Sequence, residues 1–276
     1  MKNVQSAHII IQKINGFQKT ETEDQVAVEE PLEIQVAFST STGKLEKNIA
    51  VTMRTPGNDE ELAAGFLYTE GIIQNKEAIT QIKHIAFDEN RIMVTLRENV
   101  RPDLKNISRN FYTTSSCGIC GKASIDAITT TSFYKNEPGD ICIGTEVLHK
   151  LQHTLKNHQV AFENTGGIHA SALFGVDGSL MMVREDVGRH NALDKVIGAA
   201  LVGGLLPLSN YILFLSGRAG FELVQKATMA GLKMIAAVGA PSSLAVELAK
   251  ESGITLIGFL RNNRFNIYTA DHRIRS

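Results

Sequence analysis

Three apolar runs decide the fold: Tyr211-Ile-Leu-Phe-Leu215, Met234-Ile-Ala-Ala-Val238 and Ile254-Thr-Leu-Ile-Gly258. Each is short and continuous rather than alternating, which is the pattern of a strand buried on both faces. Between them lie helical stretches, Phe221 to Gly231 and Ser243 to Ser252, the second with Ser242 as N-cap and Gly253 as terminator. Strand-helix-strand-helix-strand predicts a parallel sheet with right-handed crossovers, and so an α/β class.

Working outward, the N-terminal third has a different texture. Residues 4–14 and 31–54 read as strands. Leu32, Ile34, Val36 and Phe38 alternate with polar neighbours, Gly43 marks a turn, and Ile49, Val51 and Met53 resume the alternation. Asn58 with Glu61 has capping-box spacing, opening a helix through Leu62, Phe66 and Leu67 to Gly71. Residues 82–87 and 91–97 read as a hairpin across Asp88-Glu89-Asn90. A polar loop over 101–122 and helices over 124–132 and about 145–158 follow. The division expected is a β-rich lobe over 1–110, a mobile loop over 111–123 and an α/β domain over 124–276.

The totals set bounds. A chain of 276 residues can bury a large core without disulfides or a structural metal. A net charge of −1 excludes a general nucleic-acid binder, so any basic site must be local. Three cysteines, an odd count, fit a reducing compartment. The N-terminal apolar patch His8-Ile9-Ile10-Ile11 is too short for a signal segment, and no apolar run approaches the ~20 residues of a membrane helix. A cytoplasmic location is expected.

Chemistry concentrates in two places. The first is Cys117-Gly118-Ile119-Cys120-Gly121-Lys122, a thiol pair amid small residues. Such a pair can hold a metal, exchange disulfides or carry sulfur. Structural zinc needs four ligands, and there is no second CxxC. A zinc deaminase would show H-x-E before P-C-x-x-C, whereas His169-Ala170-Ser171 follows the cysteines and ends in serine. A thioredoxin-like pair would sit between a strand and a helix. For sulfur carriage, a thiol of pKa about 8.5 would be activated by Lys122 and a nearby helix start.

The second place is the set of loops after the three strands: Ser216-Gly217-Arg218-Ala219-Gly220, Gly239-Ala240-Pro241-Ser242-Ser243, and Phe259-Leu260-Arg261-Asn262-Asn263-Arg264. Ligands of open α/β sheets bind beyond these strand ends. Arg218, Arg261 and Arg264 could each fork onto a phosphate. The alternative is ordinary turns with surface arginines. Two further segments are Thr165-Gly-Gly-Ile-His169-Ala-Ser171 and the run from Arg184 to Lys195. In the latter, Asp186 or Asn191 either caps a helix on a solvated charged face or belongs to a site.

Together these motifs resemble the FdhD/NarQ family of formate dehydrogenase accessory sulfurtransferases. The likeness rests on the Cys117–Cys120 segment, Thr165 to Ala170, Arg184 to Lys195, Ser216-Gly-Arg218 and Phe259-Leu-Arg261, with Arg54-Thr-Pro-Gly57 and Gly65-Phe66-Leu67 upstream. The resemblance implies a cytidine-deaminase-like α/β core without a resident metal, and a homodimer. It implies sulfur taken as a persulfide on Cys117, with Cys120 as partner, from an L-cysteine desulfurase. It implies delivery to a molybdenum bis(molybdopterin guanine dinucleotide) acceptor, held by Phe259, Leu260, Arg261, Asn262, Asn263, Arg264 and Arg218, before insertion into formate dehydrogenase. A cofactor chaperone that moves no sulfur is the rival reading. Cys142 is expected to be a buried apolar thiol.

Overall fold

The computed structural model describes residues 5–104, 134, 141–261 and 263–275. Cys117, Cys120 and Asn262, and the helix expected over 124–132, lie outside the described residues.

The chain opens with a hairpin, β1 (Ser6–Asn15) and β2 (Gln18–Ala27), which forms a sheet of its own. Sequence reading misses β2, because Gln18-Lys-Thr-Glu-Thr-Glu-Asp-Gln has no apolar face. Next come β3 (Glu30–Thr40), β4 (Gly43–Arg54), helix α1 (Asp59–Thr69), β5 (Ile79–Ile85) and β6 (Asp88–Leu96). These strands form a four-stranded sheet in the order β4-β3-β6-β5. The hairpin turn falls on Ala86 and Phe87, two residues earlier than the Asp-Glu-Asn cue suggests, and Phe87 takes the left-handed conformation there. The capping box is not made. Asn58 is itself left-handed and caps nothing with its side chain. Glu61 instead grips Arg184, with Oε1 2.7 Å from Nη2.

The rest of the chain runs β7 (Ile143–Gly144), α2 (Thr145–Lys156), α3 (Val160–Thr165), β8 (His169–Phe174), β9 (Leu180–Asp186) and α4 (Arg189–Val202). It continues through β10 (Ile212–Leu215), α5 (Phe221–Met229), β11 (Met234–Ala237), α6 (Ser243–Glu251), β12 (Thr255–Arg261), β13 (Arg264–Thr269) and β14 (Ile274–Arg275). The three predicted strands pair in parallel, β10 with β11 and β11 with β12. They are the centre of a larger mixed sheet, β13-β12-β11-β10-β8-β9, whose flanks are antiparallel. The segment Phe259-Leu260-Arg261, read as loop, belongs to β12 and continues into a hairpin. Ser242 caps α6 as expected, its hydroxyl accepting from the Ala245 N–H.

Strand alternation gives the six-stranded sheet two dry faces. Leu213, Leu215, Ile235, Ala237 and Leu256 face a core shared with α1, α4, α5, α6 and the four-stranded sheet. Ile212, Phe214, Met234, Ala236 and Ile257 face a smaller core closed by Leu148, Leu151 and Leu155 of α2. Phe174 meets Phe214 there edge to face, with centroids 6.2 Å apart. The chain is thus of the α/β class, with a β-rich N-terminal part joined to an α/β core.

Candidate functional site

The run from Arg184 to Lys195 is built around a buried brace rather than a solvated face. Asp186 and Lys195 are fully buried and paired at 2.7 Å. Thr55 donates its N–H to Asp186 Oδ2 and accepts Lys195 Nζ on its carbonyl, at 3.1 and 2.8 Å. Asp186 Oδ1 also accepts from the Gly188 N–H and Asn191 Nδ2. Neither Asp186 nor Asn191 is the cap residue: α4 starts at Arg189 behind a Gly188 cap. Glu185 accepts the Ala161 and Phe162 N–H groups, both at 2.9 Å, and so holds the start of α3. Burial pushes its carboxyl above the ordinary glutamate value.

Thr165-Gly166-Gly167 ends α3 and launches β8. Gly166 is the cap residue with φ 66°, a conformation that favours glycine. The Thr165 hydroxyl donates to the Ala161 carbonyl at 2.7 Å. This places His169 at the first position of β8, beside the end of β10. The junction is locked by Ser216, whose Oγ accepts from the Ala170 N–H at 2.8 Å and whose own N–H donates to the Ala170 carbonyl at 3.0 Å.

A cleft of about 790 Å³ opens where these segments meet. One wall is α2, contributing His149, His153 and Lys156. The floor is Gly166 to His169 with Ser216 and Val238, and the far wall is Leu260, Arg261 and Asn263. The five charged or titratable groups among its described lining residues are three histidines, a lysine and an arginine; no carboxylate is among them. On a chain of net charge −1, this is the local basic site that the composition requires, and it suits an anionic ligand. The His169 imidazole is held below its ordinary value, first by burial, then by the charges of Arg189 and His190, with Arg218 adding to them against the pull of Asp186. His149 turns a buried Nδ1 that has no partner among the described residues, and its ring lies 5.5 Å from that of Phe265.

Of the residues singled out from sequence, the fold brings Leu260, Arg261 and Asn263 to the cleft, together with His169, Gly166, Gly167 and Ser216. Phe259, Arg264 and Arg218 are outside its lining. Phe259 is left-handed at φ 56°, inside a register shift between Gly258 and Arg261. Such a bulge re-aims the strand, and Leu260 and Arg261 both reach the cleft after it. Arg264 sits opposite Arg261 across the hairpin. Cys142 is half-buried rather than buried, its sulfur accepting from Arg275 Nε at 3.1 Å. The α2 wall was missed. Its signal was present in the sequence: with Leu148, Leu151 and Leu155 inward, His149, His153 and Lys156 fall toward the other side of an amphipathic helix.

Among the described residues no group of three or more His, Cys, Asp or Glu side chains is placed to hold a metal. No helix among them is long and apolar enough to cross a membrane.

Comparison with known proteins identifies the family. The chain is 50% identical over 259 residues to Sulfur carrier protein FdhD of Mycolicibacterium paratuberculosis, covering 91% of this chain and 92% of that one. It is 44% identical to the protein of that name from Mycobacterium tuberculosis, over 98% of each chain. It is 41% identical to the one from Sulfolobus acidocaldarius, over 98% and 99%. The crystal structure of a protein assigned as a formate dehydrogenase accessory protein, from Desulfotalea psychrophila, superposes with a TM-score of 0.74 at 26% identity, covering 98% of this chain and all of that one. The model of the FdhD/NarQ family matches residues 27–275, and the chain belongs to that family.

Proposed function

We propose that this protein is a sulfurtransferase of formate dehydrogenase maturation. It takes sulfur from an L-cysteine desulfurase and passes it to a molybdenum bis(molybdopterin guanine dinucleotide), its acceptor substrate, before that compound enters formate dehydrogenase. The observation that carries the reading is the coincidence of family and site: relatives at up to 50% identity are named sulfur carriers, and the cleft at the strand ends is lined by basic groups without a carboxylate. Pyrophosphates of a guanine dinucleotide are ligands for which such a cleft is suited. The protein works in the cytoplasm as a homodimer.

The sulfur chemistry belongs to Cys117 and Cys120. The Cys117 thiolate attacks the outer sulfur of the desulfurase persulfide; the S–S bond breaks, the desulfurase cysteine leaves as thiolate, and Cys117 becomes the persulfide. The Cys120 thiolate then attacks the inner sulfur of Cys117. The outer sulfur departs with the bonding pair as hydrosulfide and is taken by the acceptor metal. The resulting Cys117–Cys120 disulfide is returned to two thiols by a small-molecule thiol reductant. The thiolate is the reacting form in each attack.

Incubation with desulfurase and L-cysteine, followed by peptide mass spectrometry, tests this. One added sulfur on the peptide holding Cys117, and none in Cys117→Ala, is the expected result. A wild-type chain that gains no sulfur yet still binds the acceptor would be a cofactor chaperone instead.

A further inference from the structure

The fold leaves the β1–β2 hairpin nearly bare. Ser6 is the only buried residue of its two strands, and neither strand pairs with a third among the described residues. An isolated two-stranded hairpin is marginal in water. Its two edges differ. β2 carries Lys19, Glu21, Glu23 and Asp24, the kind of charges by which an edge strand discourages pairing. β1 carries Ile9, Ile10, Ile11 and Ile14, with only His8 and Lys13 ionisable. Long, apolar and free of proline, it is the kind of edge that another strand joins.

The sequence of β1 matches itself. Alternation puts His8, Ile10, Gln12 and Ile14 on one face. Ile10 and Ile14 are 66% and 63% exposed, the barest isoleucines among the described residues, and they flank Gln12 symmetrically. Laid antiparallel to its own copy about a two-fold at Gln12, β1 sets Ile10 opposite the partner's Ile14. The charges agree. Within the hairpin Glu23 lies opposite Ile10, and Lys19 opposite Ile14. Each apolar row of the joined sheet therefore ends in Glu23 on one side and the partner's Lys19 on the other. The row through Gln12 ends in Glu21 on both sides, but these carboxylates stand three strand spacings apart, about 14 Å, and each accepts from its own Gln12 at 3.0 Å.

We propose that the free edge of β1 is an interaction surface whose occupant is β1 of a second copy of this chain. The two hairpins join into one four-stranded sheet, with Gln12 on the two-fold axis. This deepens the homodimer proposed above by naming its surface, and in that respect rests on it; the sulfur chemistry has no part in it.

Sedimentation velocity of the full chain over a concentration series tests the surface. Ile10→Lys and Ile14→Glu each set a charge against an isoleucine at two symmetry-related places, and each should weaken self-association about tenfold or more. The double variant should recover most of it, because the two substituted positions oppose each other between copies. Within one strand they are about 13 Å apart and cannot meet. Gln12→Cys should give a disulfide-linked dimer on mild oxidation, above the background of the native cysteines in the wild type, since residues directly opposite sit about 5.5 Å apart at Cα. These positions are exposed, and thermal melts confirm that the variants stay folded. A wild-type chain that sediments as a monomer throughout would overturn the surface. A dimer indifferent to both single substitutions would overturn it while leaving the homodimer standing. A double variant no better than the single ones would overturn the pairing about Gln12. Sulfur uptake is read separately by mass spectrometry, whichever way the surface is decided.

Discussion

Gly65 of α1 and Gly198 of α4 cross with no side chain between them. A Cβ on Gly65 would collide with the Asp194 carbonyl, and one on Gly198 with the Glu61 carbonyl. In each case the obstacle is backbone, which cannot rotate away. The two helices therefore touch main chain to main chain, and this contact ties the four-stranded sheet to the six-stranded one.

Gly65→Ala and Gly198→Ala should each destabilise the fold by about 3 kcal/mol or more, the upper part of the range for overpacking, because both helices must separate. Urea denaturation monitored by circular dichroism measures the loss. A cost under about 0.5 kcal/mol, the size of an ordinary surface change, would mean the helices can slide apart freely.

Lys226 sits on the same seam. Its ammonium lies 2.9 Å from Asp194 Oδ2 and 3.2 Å from Glu70, and Thr69 donates to the other Asp194 oxygen at 2.8 Å. Burial works against its charge, but Asp194 and then Glu70 outweigh it, so the lysine stays protonated well above its ordinary value. Lys226→Met leaves a buried carboxylate alone and should cost about 3–5 kcal/mol. The double variant Lys226→Met with Asp194→Leu should recover much of that, since no charge is stranded. A double-mutant cycle by denaturant titration decides it.

Arg54 is a hub for the four-stranded sheet. Although only 1% exposed, it forks onto Asp59 at 3.1 and 3.0 Å and reaches Glu30 at 3.2 Å. Arg54→Lys keeps the charge but cannot serve both carboxylates with planar geometry. Expected is a loss of about 1.5–3 kcal/mol, the size of a charge-assisted hydrogen bond. An unchanged melting temperature would show that charge alone suffices.

His169 should titrate below its ordinary 6.5, chiefly through burial and next through Arg189. The sign for stability follows: the unfolded chain takes up a proton first as pH falls. The neutral ring's contribution is therefore complete above about pH 6.5 and is lost as pH drops through the folded midpoint. Proton NMR of the imidazole gives the midpoint, and Arg189→Gln should move it upward. A midpoint above 6.5 in the wild type would reverse the sign.

Arg261 ends β12 at the cleft wall. Arg261→Ala should weaken GDP binding about tenfold, the value of one charge-assisted contact, with the melting temperature unchanged because the side chain is exposed. Calorimetry with equal affinities for the two proteins would remove this residue from the binding surface.

The parallel core was legible because Ile212 to Leu215, Met234 to Ala237 and Thr255 to Ile257 are buried on both sides and carry little polar interruption. The thiol motif and the strand-end loops were legible as chemistry. Tertiary partners were not. Glu61 looks like a capping residue until Arg184 arrives from far along the chain. The charges of the 184–195 run look solvated, because only the fold shows that Thr55 and Lys195 enclose Asp186. β2 carries no apolar periodicity to read. Phe259 is a residue type that rarely takes positive φ, so the bulge that brings Leu260 and Arg261 to the cleft leaves no local signal.

Thr55 gives its amide, its carbonyl and its hydroxyl to groups of the opposite half, namely Asp186, Lys195 and the Val187 N–H. A single residue so fully engaged acts as a rivet, not a hinge. Heat should therefore melt the two sheets together, in one cooperative calorimetric peak, and neither could be cut free and kept as a working fragment.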